Sequence, residues 1–111
     1  MGDRADVCVK DRESCVYLYT HWGGEYLPAI VKRALAKKWR WTDPPYLARI
    51  IFDEMTKDEH GEETGYGIST SPAGDAWRLV EVDCAEQVVR VVDNGKEKVK
   101  KSFTDFIGET P

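Results

Sequence analysis

Residues 15–35 read CVYLYTHWGGEYLPAIVKRAL and change character at the glycine pair 23–24. Before the pair, aliphatic and aromatic side chains alternate, and this two-residue period predicts a strand over 15–21. After the pair, apolar residues recur every three or four positions, which predicts an amphipathic helix. Its buried stripe would be Leu27, Ile30, Val31, Ala34 and Leu35. Pro28 falls in the first turn, where the missing N–H is not needed.

A second helix is predicted to begin at Thr42 and Asp43, because a capping residue there precedes two prolines. Arg49 stands four residues before Asp53, a spacing that lets the two pair on the helix surface. The buried stripe of this helix would be Leu47, Ile50, Ile51 and Met55.

The remaining segments predict strands and tight turns. Strands are expected over 5–10, 66–71, 76–83 and 87–93, a further strand over 96–101, and a short helical turn over 103–107. Asn94-Gly95 is typical of a tight hairpin. The sequence therefore predicts a single α+β domain over 1–111. Its sheet would be mainly antiparallel and five- to six-stranded, in the order ββααβββ, with two amphipathic helices on one face.

Charge and hydropathy restrict the environment and the partners of the chain. The net charge of -4 argues against a protein that binds the phosphate backbone, so nucleic acid is not expected as a partner. The charged residues are unevenly distributed along the chain: positions 32–49 are mainly basic and positions 53–63 mainly acidic. No apolar run approaches the ~20 residues that span a bilayer, and the start lacks a signal-peptide pattern. We expect a cytoplasmic protein, in a bacterial host cell, with no membrane partner.

Three cysteines, Cys8, Cys15 and Cys84, lack the CxxC spacing of zinc and redox motifs. We expect free thiols, with Cys8 and Cys15 close together if the first hairpin is symmetric about its turn. The acidic run 53–63 does not match a calcium loop. No metal and no cofactor are predicted.

The segment 20–25, THWGGE, is the first candidate site. A strand that passes through two glycines into a helix start leaves backbone N–H groups free, and such groups attract anions. His21 can exchange a proton with a ligand, and Trp22 offers a face for stacking. The alternative is structural: the glycines only turn the chain, and Trp22 packs the helix onto the sheet.

The segment 63–70, ETGYGIST, is the second candidate, because hydroxyl groups and bare backbone can line a polar site. The alternative is that a bulky neighbour, such as Trp22 or Tyr26, packs against its glycines. If the two segments meet, they form a pocket in which Arg49 could clamp an anion. The predicted ligand-binding residues are Thr20, His21, Trp22, Gly23, Gly24, Arg49, Thr64, Gly65 and Ser69.

Three stretches also carry a resemblance: VYLYTHWGG at 16–24, Arg40-Trp41 followed by YLARIIF at 46–52, and ETGYGIS at 63–69. Together they resemble a family of small, largely uncharacterised proteins encoded by bacteriophages and prophages. The resemblance covers about positions 15–93. It implies a context rather than an activity, since small phage accessory proteins often bind host components, including the proteins and nucleotide messengers of defence systems.

The chain lacks the G-x-S-x-G and HExxH signatures, and no catalytic residue is predicted. The leading hypothesis is a non-enzymatic, phage-type accessory protein that binds a small anionic, nucleotide-like ligand. One alternative is a protein–protein inhibitor or adaptor that acts on a host defence protein through its acidic surface. A second is a small hydrolase that uses His21. A monomer and a homodimer are both allowed, because the lysines of 96–101 would guard a sheet edge.

Overall fold

The computed structural model describes residues 3–58 and 65–108, and within them the chain forms six strands and three helices. The elements are β1 (Ala5–Lys10), β2 (Cys15–Thr20), α1 (Leu27–Leu35), α2 (Pro44–Thr56), β3 (Tyr66–Ser69), β4 (Arg78–Asp83), β5 (Val88–Asp93), β6 (Lys96–Ser102) and α3 (Phe103–Gly108). A 3-10 turn at Gly24–Tyr26 leads into α1. The predicted α+β class is confirmed. None of the described helices is long and apolar enough to cross a bilayer.

The sheet has the strand order β3-β2-β1-β4-β5-β6. Every neighbouring pair is antiparallel except β1 and β4, which run parallel. The connection between β1 and β4 contains β2, both long helices and β3. The further strand predicted over 96–101 and the short helical turn predicted over 103–107 are both present, as β6 and α3. β6 forms one edge of the sheet and carries the lysines expected there.

Four predicted strands are one or two residues longer than the observed ones; β5, predicted over 87–93, begins at Val88. β2 ends at Thr20, whose hydroxyl Oγ1 accepts the N–H of Gly23 at 2.9 Å. β3 ends at Ser69, whose Oγ accepts the N–H of Ser71 at 3.1 Å. β4 begins at Arg78 rather than at position 76.

All three helices pack on one face of the sheet and bury the predicted stripes. The side chains of both stripes are buried, together with Leu18 of β2 and Phe103 and Phe106 of α3. Asp43 caps α2 by accepting the N–H of Tyr46 at 3.3 Å, as its position before two prolines predicts.

The opposite face of the sheet carries a row of residues in register. The cross-strand pairs place Gly67, Tyr19, Asp6, Leu79 and Val92 side by side from β3 to β5. The loop 70–77 folds over the middle of this row, because the N–H of Ala73 donates to Oδ2 of Asp6 at 2.8 Å. Asp6 is therefore buried although the helices lie on the other side.

The two tryptophans after α1 differ in their surroundings. Trp41 donates its indole N–H to the carbonyl of Leu35 at 3.1 Å, and its ring lies edge-on to Phe103. Trp39 is 58% exposed, with the ammonium of Lys37 lying 5.4 Å from its ring centroid. Trp41 therefore packs against the core, whereas Trp39 lies at the surface.

The three thiols should differ sharply in reactivity. Cys8 and Cys15 lie 3.3 Å apart between sulfur atoms, which confirms the predicted proximity. Burial raises the pKa of Cys8 and of Cys84 to about 12, whereas Cys15 is exposed. Because the thiolate is the reactive form, we expect Ellman's reagent to modify Cys15 quickly in the folded protein and the other two only after unfolding. Rapid modification of Cys84 would contradict this assignment.

Candidate functional site

The two glycine-bearing segments meet at one end of the sheet. The backbone N–H of His21 donates to the carbonyl of Gly65 at 2.9 Å, which continues the ladder between β2 and β3. The indole of Trp22 lies directly over Gly65. A Cβ atom on Gly65 would stand 2.5 Å from Cε3 of Trp22, so this packing requires glycine. The structural alternative for Gly65 is thus confirmed with Trp22 as the neighbour.

A groove of about 220 Å³ opens where the segments meet. Its walls are two exposed aromatic side chains, since Trp22 is 69% and Tyr26 63% exposed. The groove is lined by Thr20, Trp22, Gly23, Tyr26, Gly65 and Tyr66. Thr20, Trp22, Gly23 and Gly65 were predicted as site residues. Tyr26 and Tyr66 were missed, and only their position beside the glycines could have indicated them.

Backbone N–H groups at the start of this turn are already hydrogen-bonded. Oγ1 of Thr20 accepts the N–H of Gly23 at 2.9 Å and that of Trp22 at 3.4 Å. Thr20 is itself buried, so its hydroxyl fixes the turn rather than facing a ligand.

Asp3 engages the next two N–H groups. The N–H of Gly24 donates to the backbone carbonyl of Asp3 at 3.0 Å, and that of Glu25 to its carboxylate at 2.9 Å. A second carboxylate oxygen of Asp3 accepts the indole N–H of Trp77. The prediction that these N–H groups are free is therefore wrong: the carboxylate of Asp3 occupies the place that an external anion would take.

The remaining predicted residues that the structure describes do not line the groove. Arg49, on α2, donates to Asp53 as predicted and stacks on Tyr46, with its guanidinium carbon 4.9 Å from the ring centroid. It is not among the groove residues, so the structure does not show it as an anion clamp. Gly24 is buried beneath the turn, against Asp3. Thr64 lies outside the described residues.

His21 and Ser69 face a neighbouring cavity of about 170 Å³, which Tyr19 also lines. The imidazole of His21 contacts aromatic rings on two sides, at centroid distances of 5.4 Å to Tyr19 and 5.6 Å to Trp22. Among the residues that the structure describes, no group of three or more potential metal ligands occurs. The imidazole of His21 therefore lies between two aromatic rings.

A further depression, of about 400 Å³, lies at the opposite end of the strands and was not predicted. It is lined by Asp11, Arg12, Glu13, Thr42, Cys84 and Ala85. The carboxylate of Asp11 accepts the N–H groups of Glu13 and Ser14, so it serves the β1–β2 turn. The sequence of the β1–β2 turn resembles that of any polar turn and gives no sign of the depression.

Substituting Gly65 with alanine should displace Trp22 while leaving the fold intact. The added Cβ would collide with an indole ring that can rotate away into solvent, so we expect a loss of about 1 kcal/mol in unfolding free energy. The tryptophan emission spectrum and the indole N–H signal of Trp22 should both change. Gly74→Ala is the matched control, because a Cβ there meets nothing within 4 Å. An unchanged Trp22 signal in Gly65→Ala would contradict the packing.

Comparisons of the chain with protein-family models, with curated proteins and with solved structures give no match. The resemblance to the phage-encoded family therefore stays a prediction, and the function has to be argued from the geometry of the site.

Proposed function

We propose that the chain is a non-enzymatic binding protein that stacks one planar ring, of the nucleobase type, in the groove between Trp22 and Tyr26. The observation that carries the proposal is an exposed indole held in a fixed position. Trp22 is 69% exposed, yet the contact with Gly65 supports one side of its ring. Tyr26, 63% exposed, lines the same groove, and exposed apolar patches of this kind mark interaction sites more often than single exposed residues do.

The fixed position of Trp22 favours ligand binding because little conformational freedom is lost when the ring is covered. The turn that carries Trp22 is fastened from both sides. Thr20 bonds its N–H groups, and Arg78 donates to the carbonyl of Gly24 at 3.1 Å. The groove is therefore formed before a ligand arrives.

The size and charge of the groove limit the ligand. At about 220 Å³ it is smaller than the sites that enclose drug-sized molecules, so it suits a single ring system. The carboxylates of Asp3 and Glu25 lie beside the turn, and the N–H groups there are engaged. Any phosphate of a nucleotide would thus remain in solvent. Of the anionic, nucleotide-like ligand predicted from the sequence, the groove would therefore bind only the base.

The biological setting is part of the proposal and rests on the sequence. We propose a phage accessory protein in the cytoplasm of a bacterial host, in line with the resemblance of its motifs, and base-bearing messengers of defence systems are then candidate ligands. The rival idea, an acidic surface that contacts a host protein, depends on the acidic run over 53–63. Within it, Asp53 is paired with Arg49, and Glu54 with Arg33, Lys37 and Lys57. Positions 59–63 lie outside the described residues. The hydrolase alternative gains no support from the aromatic surroundings of His21.

Calorimetry with adenosine, guanosine, cytidine and uridine, and with their 5′-monophosphates, tests the proposal. We expect at least one base to bind, with the nucleoside and its monophosphate of similar affinity. Trp22→Ala should weaken binding about ten- to hundred-fold, the range of one base–aromatic stack. Trp39→Ala is the matched control, since Trp39 is also exposed but does not line the groove.

The proposal fails if no member of this panel binds, or if Trp22→Ala binds as tightly as the unmodified protein. A monophosphate that binds far more tightly than its nucleoside would show that the phosphate, rather than the base, is recognised.

A further inference from the structure

The carboxyl group of Asp6 is buried without full hydrogen bonding. Asp6 is 2% exposed and lies on the sheet face opposite the helices. Its Oδ2 accepts the N–H of Ala73 at 2.8 Å, whereas Oδ1 is buried and has no hydrogen-bond partner among the described residues. Burying a polar atom without a partner is costly, and native proteins contain few such atoms.

Asp6 also lines a cavity of about 250 Å³ between the loop 70–77 and strands β4 and β5. The rest of the lining is contributed by Pro72, Ala73, Ala76, Trp77, Arg78, Leu79, Val92 and Gly95. The guanidinium of Arg78 is engaged by Asp93 and by the carbonyl groups of Gly24 and Glu25, and the other lining residues are largely apolar. An apolar cavity with a single acceptor at one place is suited to a ligand that has a short hydrocarbon body and one hydrogen-bond donor head.

The charges around Asp6 decide between a neutral and a cationic head. Burial raises the pKa of Asp6, the bond from Ala73 lowers it, and the negative charge of Asp75 raises it further. Asp75 is bound to Arg4 at 2.6 Å, and Tyr19 is the residue opposite Asp6 on β2. A cation beside Asp6 would relieve both the burial of its charge and the repulsion from Asp75.

We propose that this cavity binds a small primary alkylammonium ion, with the ammonium group on Oδ1 of Asp6 and the alkyl chain against Leu79 and Val92. The site is separate from the groove at Trp22, and none of the groove-lining residues contributes to it. It therefore adds a second ligand class to the protein, and its test does not depend on the proposed function.

Three probes of similar size separate the contributions of the charge, the alkyl chain and the N–H donor to binding. ¹⁵N-labelled protein is titrated with n-butylammonium, with n-butanol, which keeps the chain but not the charge, and with tetramethylammonium, which keeps the charge but has no N–H donor. We expect n-butylammonium alone to saturate, with the largest shift at the N–H of Ala73. The Asp6 carboxyl signal, followed against pH, should titrate at lower pH with the amine bound, since a cation favours the carboxylate.

Asp6→Asn should weaken n-butylammonium binding about ten-fold or more, because the side chain loses its charge and an NH2 group, which cannot accept a hydrogen bond, takes the place of Oδ1. An amide oxygen can still accept the N–H of Ala73, so the loop should stay in place. Glu86→Gln, at an exposed acid outside the cavity lining, is the control for general charge effects. The proposal is overturned if n-butylammonium shifts nothing, if n-butanol or tetramethylammonium shifts the same signals equally, or if Asp6→Asn binds as the unmodified protein does.

Discussion

Substituting Arg78 with methionine should lower the free energy of unfolding by about 2–4 kcal/mol, because it leaves a largely buried carboxylate without its partner. The guanidinium of Arg78 holds Asp93 through two hydrogen bonds, of 2.7 and 2.9 Å, and both side chains are about 15% exposed. It also donates to the carbonyl groups of Gly24 and Glu25, so the loss should loosen the turn that carries Trp22. Urea unfolding followed by circular dichroism measures the difference.

The pH dependence of the difference in unfolding free energy shows whether it comes from the ion pair between Arg78 and Asp93. The hydrogen bonds from Arg78 hold the pKa of Asp93 below its ordinary value of 3.8. A depressed pKa contributes stability that is present above pH ~4 and is lost as the pH falls through the folded-state pKa. The gap between Arg78→Met and the unmodified protein should therefore narrow in acid. Asp6, whose pKa is raised, acts in the opposite direction in both proteins, so it cancels in the comparison.

Arg4→Met is the matched control for the loss of an arginine. Arg4 binds Asp75 at 2.6 Å, but the two side chains are 45% and 61% exposed, and exposed pairs contribute little. We expect almost no change in its unfolding midpoint. An equal loss in Arg4→Met and Arg78→Met would show that burial of the Asp93 pair does not matter.

Substituting Phe103 with alanine should lower the free energy of unfolding by about 3–5 kcal/mol. Phe103 is 1% exposed, and its ring packs edge-on against Trp41 at 5.2 Å between centroids. The substitution therefore opens a cavity between α3 and the segment after α1. Thermal and urea unfolding give the size of the loss.

Phe103→Leu keeps most of the buried volume and should lose clearly less stability than Phe103→Ala. Because Phe103 lies at the end of the sheet away from Trp22, neither variant should alter the groove while the protein is folded. Similar small losses in both variants would contradict the packing of α3 described above.

The sequence predicted the elements well because their signals are local. The alternation in 15–20 and the apolar stripe of α1 each follow from the geometry of one element, and Asp43 caps α2 through a residue three positions away. The parallel pairing of β1 with β4 could not be predicted, since these strands are separated by two helices and two other strands. Nothing in either strand specifies its neighbour.

The candidate site was predicted only in part, for a similar reason. Trp22 and Gly65 were singled out by residue type, and the structure brings them into contact. The expectation of an anion site failed because the protein supplies the carboxylate itself. Asp3 lies 22 residues before Glu25 in the sequence but next to it in space. The buried carboxyl of Asp6 was missed as well, because the loop that covers it begins more than sixty positions later.

In the proposed complex, the exposed face of Trp22 is the surface that contacts the ligand. The most direct measurement follows the indole N–H signals of ¹⁵N-labelled protein during titration with the best-binding nucleoside, with the Trp22 signal assigned by its loss in Trp22→Phe. We expect the Trp22 signal to shift and to saturate with the same dissociation constant as calorimetry gives, while the signals of Trp39 and Trp41 stay in place. A saturating shift at Trp39 with Trp22 unmoved would contradict it.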